Sequence, residues 1–386
     1  MFYIDVPPQD YRDPWQSTFE ERLAGLRGGQ QSVAYFYEKP DNSTFRYRVY
    51  NMIQALRNSK SNIRASFFCN EDVDKLRQIV DMADVLVFCR TRYTDKIDQA
   101  ITLAQSKGKR VFFDIDDYIF DTSHAHLILE TLDQDLKHPA VWDTWFAYMS
   151  RIGETLKRCD AAITTNPYLA ERVTSFARIP ANVIPNFLNA EQLEFSEQLF
   201  LDKQKKNFAR TKDIHLGYFS GTPTHNRDFG LVATALVELL VRRPDVYLLM
   251  VGFIELKGEL NNFKSRIQIY PLHDFLNLQR MIAHVEINLV PLQNNSFTNC
   301  KSELKYFEAA VAGTITIASP TYSYANAITD GQNGYLARSY EWFDKIDYAI
   351  AEIGRYPTLA ENSAKHAREK YGWHRQHKTI ERVLFG

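Results

Sequence analysis

The sequence is poor in the features that usually announce a chemistry. It holds only four cysteines, Cys69, Cys89, Cys159 and Cys300, in 386 residues, and no two stand at metal-ligand or C-x-x-C spacing. A zinc module and a disulfide scaffold are therefore not expected, and a reducing compartment is. No run approaches the ~18 consecutive apolar residues of a membrane-spanning helix. No basic start leads into an apolar leader, so no signal peptide is expected either. An excess of one charge is also missing. Lys+Arg total 46 and Asp+Glu 47, a formal net charge of −1, which argues against a nucleic-acid partner held by bulk charge. Neither G-x-G-x-x-G nor G-x-x-x-x-G-K-[ST] occurs, which weighs against nicotinamide, flavin and Walker-type loops.

What is present is a globular average of 45% hydrophobic and 24% charged residues, with aromatics high at 13%. At roughly 100–200 residues per domain the length implies two or three domains. After an irregular extension over residues 1–32 with one short helix, strands and helices alternate. Strands are expected at 33–37, 63–68, 85–89, 110–115, 161–165 and 182–185. Helices fall between them, one over 45–57 and a long helical stretch reaching 157. Residues 190–213, polar and charge-rich, read as a linker. The alternation restarts with strands at 215–220, 246–251, 267–270, 287–290 and 314–318 and helices at 227–241, 274–284 and 302–312. Such a rhythm implies parallel sheets covered on both faces, hence two doubly wound α/β domains. Ligands of such sheets bind beyond the carboxyl ends of the strands.

Four segments lie at those ends. In Lys301–Gly313, KSELKYFEAAVAG, Ser302 is placed as an N-cap behind a lysine, which suits a phosphate. Glu308 could accept hydrogen bonds from a ribose diol, or simply face water on a surface helix. In His215–Phe229, HLGYFSGTPTHNRDF, Gly221 allows close backbone approach or positive φ, and Arg227 is placed to meet a diphosphate. Asp114–Asp121, DIDDYIFD, offers carboxylates for a base, a metal or turn capping. Arg46 and Arg48 follow the first strand and suit an anionic substrate, or form a solvated helix face.

Taken in order, these segments resemble glycosyltransferases of the GT-B fold, family 4 in particular, of the polysaccharide-assembly type. The likeness covers most of residues 33–340. Ile184-Pro185-Asn186 fits the family's I-P-N-G-V-D signature, with Phe187 for the Gly and Asn189 for the Asp. Arg227 stands at the place of the lysine that meets the donor diphosphate. Thr222 stands where an arginine is expected, with Lys301 the candidate for the missing cation. Glu308 matches the second glutamate of the E-x7-E motif, and the first falls on Cys300. Leu272-His273 falls where members contact the nucleotide base.

The resemblance implies an α/β GT-B architecture, two Rossmann-like domains facing across a cleft. Residues 1–205 would form the acceptor-binding domain and 206–370 the donor-binding domain, and a helix over 371–386 would return toward the first. It implies a hexosyltransferase that uses a nucleoside-diphosphate sugar as co-substrate, retains anomeric configuration and needs no metal or other cofactor. The donor would meet Gly221, Thr222, Arg227, His273, Lys301, Ser302 and Glu308, and the acceptor Arg46 and Arg48. Arg227 would assist catalysis electrostatically, and Asp116 or Asp117 would serve as base if the enzyme inverts. The expected partners are a glycan or lipid-linked acceptor and other glycan-assembly enzymes. The expected location is cytoplasmic, with peripheral membrane contact through aromatics such as Trp142, Trp145 and Phe146. Two other readings stand beside it: an inactive nucleotide-sugar-binding module, favoured by Cys300 and Thr222, and a metal-dependent enzyme using Asp114-x-Asp116.

Overall fold

The computed structural model describes residues 1–221, 226–253, 256 and 258–386. Its twelve described strands form two six-stranded sheets. The first sheet contains β1 (Gln31–Tyr37), β2 (Ile63–Cys69), β3 (Val85–Cys89), β4 (Arg110–Ile115), β5 (Ala161–Thr164) and β6 (Ala181–Val183), in the order β2-β1-β3-β4-β5-β6. The second contains β7 (Ile214–Ser220), β8 (Val246–Gly252), β9 (Ile267–Tyr270), β10 (Ile287–Val290), β11 (Ile315–Ala318) and β12 (Tyr335–Leu336), in the order β12-β11-β10-β7-β8-β9. Every pairing is parallel.

The strands are parallel because helices cover both faces, and the side-chain alternation shows it. On β1, Val33 and Tyr35 enter one apolar cluster while Ala34 and Phe36 enter another on the opposite face. On β7, Leu216 and Tyr218 face one cluster and Phe219 the other. Strand order reverses between β1 and β3 in the first sheet and between β7 and β10 in the second. A crevice opens at each reversal because the flanking connections leave in opposite directions.

Residues 190–213 are not a linker. Ala190–Lys205 is a helix, capped by Asn189, whose side chain accepts from the Gln192 N–H at 2.8 Å. Its buried Phe195 and Leu199 pack with Phe219 and Leu249 of the second half. The surface of this helix is polar enough to hide that apolar stripe from a reading of composition alone.

The two halves are joined at both chain ends. In the extension, Phe2 lies in the core of the second half and Trp15 in that of the first. Between them Gln9 and Asn277 exchange hydrogen bonds at 2.9 and 3.1 Å. At the other end the helix Trp373–Phe385 buries Ile380, Val383 and Leu384 against the first half. No helix among the described residues is long and apolar enough to cross a membrane. Trp142, Trp145 and Tyr148 pack partly against the first core, whereas Phe146 is 42% exposed.

Candidate functional site

A cavity of about 430 Å³ lies between the carboxyl ends of the two sheets. From the first half it is lined by Thr44, Arg46, Tyr47 and Asp116, and from the second by Ser220, Gly221, His273, Lys305 and Glu308. Phe219, Val251, Leu272, Phe275 and Leu278 supply an apolar wall.

The first-half residues arrive on a distorted helix. The expected helix over 45–57 is split into a π-helical turn, Arg46–Tyr50, and the α-helix Asn51–Asn58. The wider turn closes with the Asn51 N–H donating to the Arg46 carbonyl. It buries Arg46, Tyr47 and Arg48 together, where an exposed arginine face had been one reading.

Arg46 and Tyr47 both turn to Glu308. The Tyr47 hydroxyl donates to Glu308 Oε1, as do Arg46 Nη2 at 3.3 Å and Gln192 Nε2 at 3.1 Å. Arg46 also donates to the Asn42 carbonyl and to Gln192 Oε1, each at 2.9 Å, and stacks over the Tyr47 and Phe275 rings. Although burial opposes its charge, Tyr47 and Glu308 keep Arg46 protonated above the ordinary range. All three donors converge on Oε1, so among the described residues Oε2 is left to the cavity. Glu308 thus does not face bulk water, and Arg46 is committed to it rather than presented to an acceptor.

Arg48 is a clearer correction. It is fully buried and grips Asp114 with Nε at 2.8 Å and Nη2 at 2.9 Å. Its Nη1 donates to the Ile184 carbonyl and to Asn186 Oδ1. Four of its five N–H donors are engaged and the side chain is buried out of reach of an acceptor, so Arg48 ties β4 to the Ile184-Pro185-Asn186 turn. Burial raises the Asp114 carboxyl to about 6, while Arg48 pulls the other way. Covered in this way, Asp114 does not present a D-x-D pair to a ligand. No cluster of metal-ligating side chains occurs among the described residues.

Asp116 reaches the cavity but is engaged, accepting from Arg90 Nε and from Thr44 Oγ1 at 3.3 Å. Asp117 is outside the lining and takes Lys301 Nζ at 3.4 Å and Arg90 Nη2 at 3.7 Å. Despite burial, Asp116 and Asp117 hold Arg90 charged well above its ordinary range. Lys301 therefore bridges the two halves and does not line the cavity.

Arg227 also lies elsewhere. It is 41% exposed and pairs with Glu130 at 3.2 Å and Asp133 at 3.1 Å, both on the first half. Those carboxylates draw it away from the cavity it was expected to serve. Ser302 does not cap its helix. The helix spans Leu304–Val311 with Glu303 at the N-cap, and the buried Ser302 Oγ has no hydrogen-bond partner. Gly221 lines the cavity without positive φ, and a Cβ built on it would meet nothing within 4 Å. Its neighbour Ser220 is backed by Gly252, where φ is +101° and a Cβ would stand 1.8 Å from the Ser220 carbonyl oxygen. Thr222 lies outside the described residues.

Cys300 is fully buried in an apolar cluster of the first half, beside Phe297. The position of the absent first glutamate thus packs into hydrocarbon. The sequence reading missed several cavity residues, Thr44, Tyr47, Ser220 and Lys305 among them. Lys305 is half-buried, three residues before Glu308 on the same helix face, and its presence in K-S-E-L-K-Y-F-E at that spacing was the available signal. Burial lowers its ammonium to about 8, with Lys301 acting in the same direction and Asp228 and Glu308 opposing.

No protein-family model matches the sequence, and no curated protein does. Solved structures match the fold. Sucrose-phosphate synthase from Thermosynechococcus elongatus is 15% identical, with 92% of this chain and 98% of that chain covered and a TM-score of 0.63. Anabaena HepE in complex with UDP is 14% identical, over 92% and 99% of the two chains, with a TM-score of 0.61. WaaG, a glycosyltransferase involved in lipopolysaccharide biosynthesis, is 12% identical over 92% and 100%, with a TM-score of 0.61. At these identities the likeness shows the fold: the chain has the GT-B architecture of glycosyltransferases.

Proposed function

We propose that this chain transfers a sugar from a nucleoside-diphosphate sugar to a glycan or lipid-linked glycan acceptor in surface-polysaccharide synthesis. We further propose that it retains anomeric configuration and needs no metal ion. The observation that carries this reading is Glu308 at the wall of the interdomain cavity, with Oε1 held by three donors and Oε2 left open. A carboxylate fixed in that way suits the hydroxyls of a ribose. Ser220 and Gly221 bring backbone to the same cavity, and Leu272, Phe275 and Leu278 give an apolar wall for a base beside His273.

In the reaction the bond between the anomeric carbon and the diphosphate oxygen breaks, and the acceptor oxygen forms the new bond. The acceptor proton needs a destination. Asp116 and Asp117 already accept from Arg90, Thr44 and Lys301, which favours the departing diphosphate as proton acceptor and hence retention. The cytoplasmic face of a membrane, touched peripherally, is the proposed place of action.

The first test is titration calorimetry of UDP, GDP and dTDP with the wild type and Glu308→Ala, in the presence of a chelator. One diphosphate binding clearly, and at least tenfold more weakly in the variant, supports the donor site. Binding of none of them overturns it. The packing of Cys300 in apolar core, where a donor-facing carboxylate would otherwise stand, favours a second reading, a module that binds without turnover. Release of free sugar or transfer to an acceptor from the matching nucleotide sugar separates the two.

A further inference from the structure

Of the second-half cations Arg227, Lys301 and Lys305, two are already neutralised. Arg227 is paired with Glu130 and Asp133, and Lys301 with Asp117. The Lys305 ammonium makes no hydrogen bond and no contact ion pair among the described residues, and the side chain lines the cavity. Its Nζ lies 5.3 Å from the centre of the Tyr218 ring. A half-buried ammonium whose nearby carboxylates stand beyond ion-pair distance is costly until something arrives to neutralise it.

We propose that Lys305 is the cation that binds the donor's diphosphate and neutralises it as it leaves, in place of Arg227. This rests on the donor-site reading above. Lys305 and Glu308 share one helix face, about one turn apart, with Lys305 nearer the positive N-terminal end. If Glu308 takes the ribose, the group one turn earlier meets the phosphates bonded to it, opposite the Ser220-Gly221 backbone. A point charge placed there strengthens as negative charge grows on the departing oxygen, which is what leaving-group stabilisation requires.

Lys305 is flanked by Asp228 from the first turn of the helix Asn226–Arg242, by Lys301 from the loop and by Glu308 on its own helix. The Tyr218 ring faces it from β7, and His273 lines the same cavity. Since Lys305 titrates near 8 without ligand, diphosphate affinity falls as pH rises above that value, whereas the affinity of the uncharged nucleoside does not.

The experiment measures UDP, GDP and dTDP against uridine, guanosine and thymidine by calorimetry. The proteins are the wild type, Lys305→Met, Lys305→Arg and Arg227→Met. For the pair that binds, Lys305→Met is expected to weaken the diphosphate at least tenfold and leave the nucleoside within twofold. Lys305→Arg should recover part of the loss, and Arg227→Met should change neither. Should Lys305→Met not fold, the wild type titrated at pH 7 and pH 8.5, below the ionisation of the bases, decides. A diphosphate affinity that drops threefold or more, with a constant nucleoside affinity, supports the assignment, and a flat one overturns it. An unchanged diphosphate-to-nucleoside ratio in Lys305→Met, or a loss in Arg227→Met instead, overturns the role of Lys305 and leaves the donor site standing. No binding of any diphosphate by the wild type overturns the donor site itself, and this proposal with it.

Discussion

Arg46 and Glu308 meet at 3.3 Å from opposite halves of the molecule, and both are buried. The carboxylate assigned to the donor is therefore held by a guanidinium that belongs to the other domain. Arg46→Met leaves Glu308 with Tyr47 and Gln192 but without a counter-charge. Breaking a buried pair from one side costs about 3–5 kcal/mol, so the variant should unfold at markedly lower denaturant. It should also bind the diphosphate at least tenfold more weakly. A variant with unchanged midpoint and affinity would show the contact to be idle.

Arg48 and Asp114 form a pair with no path to solvent. Asp114→Asn should destabilise by about 3–5 kcal/mol, since Arg48 would remain charged without a counter-ion and one of its two bonds to residue 114 would be lost. Nucleotide affinity of the fraction that folds should match the wild type. An acceptor-binding Arg48 would give the opposite pattern, a stable Arg48→Met protein with a raised acceptor KM.

Arg227→Ala removes two ion pairs that are largely in solvent. Exposed pairs contribute little, so the melting temperature should stay within a few degrees and diphosphate affinity within threefold. A loss beyond tenfold in affinity would show that Arg227 swings into the cleft when the donor binds.

Cys300→Glu tests whether the motif glutamate can be restored. The side chain at 300 is enclosed by apolar groups of the first half. A carboxylate there would be desolvated and repelled by Asp117, with Arg172 and Lys301 offsetting only part, so the expected result is a large drop in thermal midpoint and no gain in turnover. A stable variant with increased transfer would reverse the structural reading of this position.

The acid limb should reflect His215 and His284, both lowered to about 4 by burial. In the unfolded chain they titrate near 6.5, so between these values the unfolded state binds more protons. Their contribution is full above pH 6.5 and is lost as pH falls toward 4. Thermal midpoints measured from pH 7 to pH 4 should fall, and His284→Gln should flatten part of the slope.

Much of the fold was legible because it depends on local periodicity. β9 and β10 were read at Ile267–Tyr270 and Ile287–Val290, where the structure has them, since short apolar runs between helical patterns leave few alternatives. The helix Ala190–Lys205 was not legible, because its buried face is spread thinly through charged residues. In the site, Gly221, Arg46, Asp116 and Glu308, named from strand ends, and His273, named from the family resemblance, line one cavity. Arg48, Arg227 and Lys301 do not, and nothing in their neighbourhoods could have said so. Their partners Asp114, Glu130, Asp133 and Asp117 lie from 66 to 184 positions away.

Sequence alone placed eleven of the twelve described strands, all but the two-residue β12, and determined that they are parallel and double-covered and which chain positions end at a strand's carboxyl edge. These follow from side-chain period and turn chemistry, both of which act over a few residues. Only the tertiary structure decided which charges are spent on one another and which remain for a ligand. A lysine and an arginine look alike in a sequence. Among the described residues, packing gave Arg227 two carboxylates in contact and left the Lys305 ammonium none within ion-pair distance, and Coulombic pairing across the cleft depends on where the second half stands against the first.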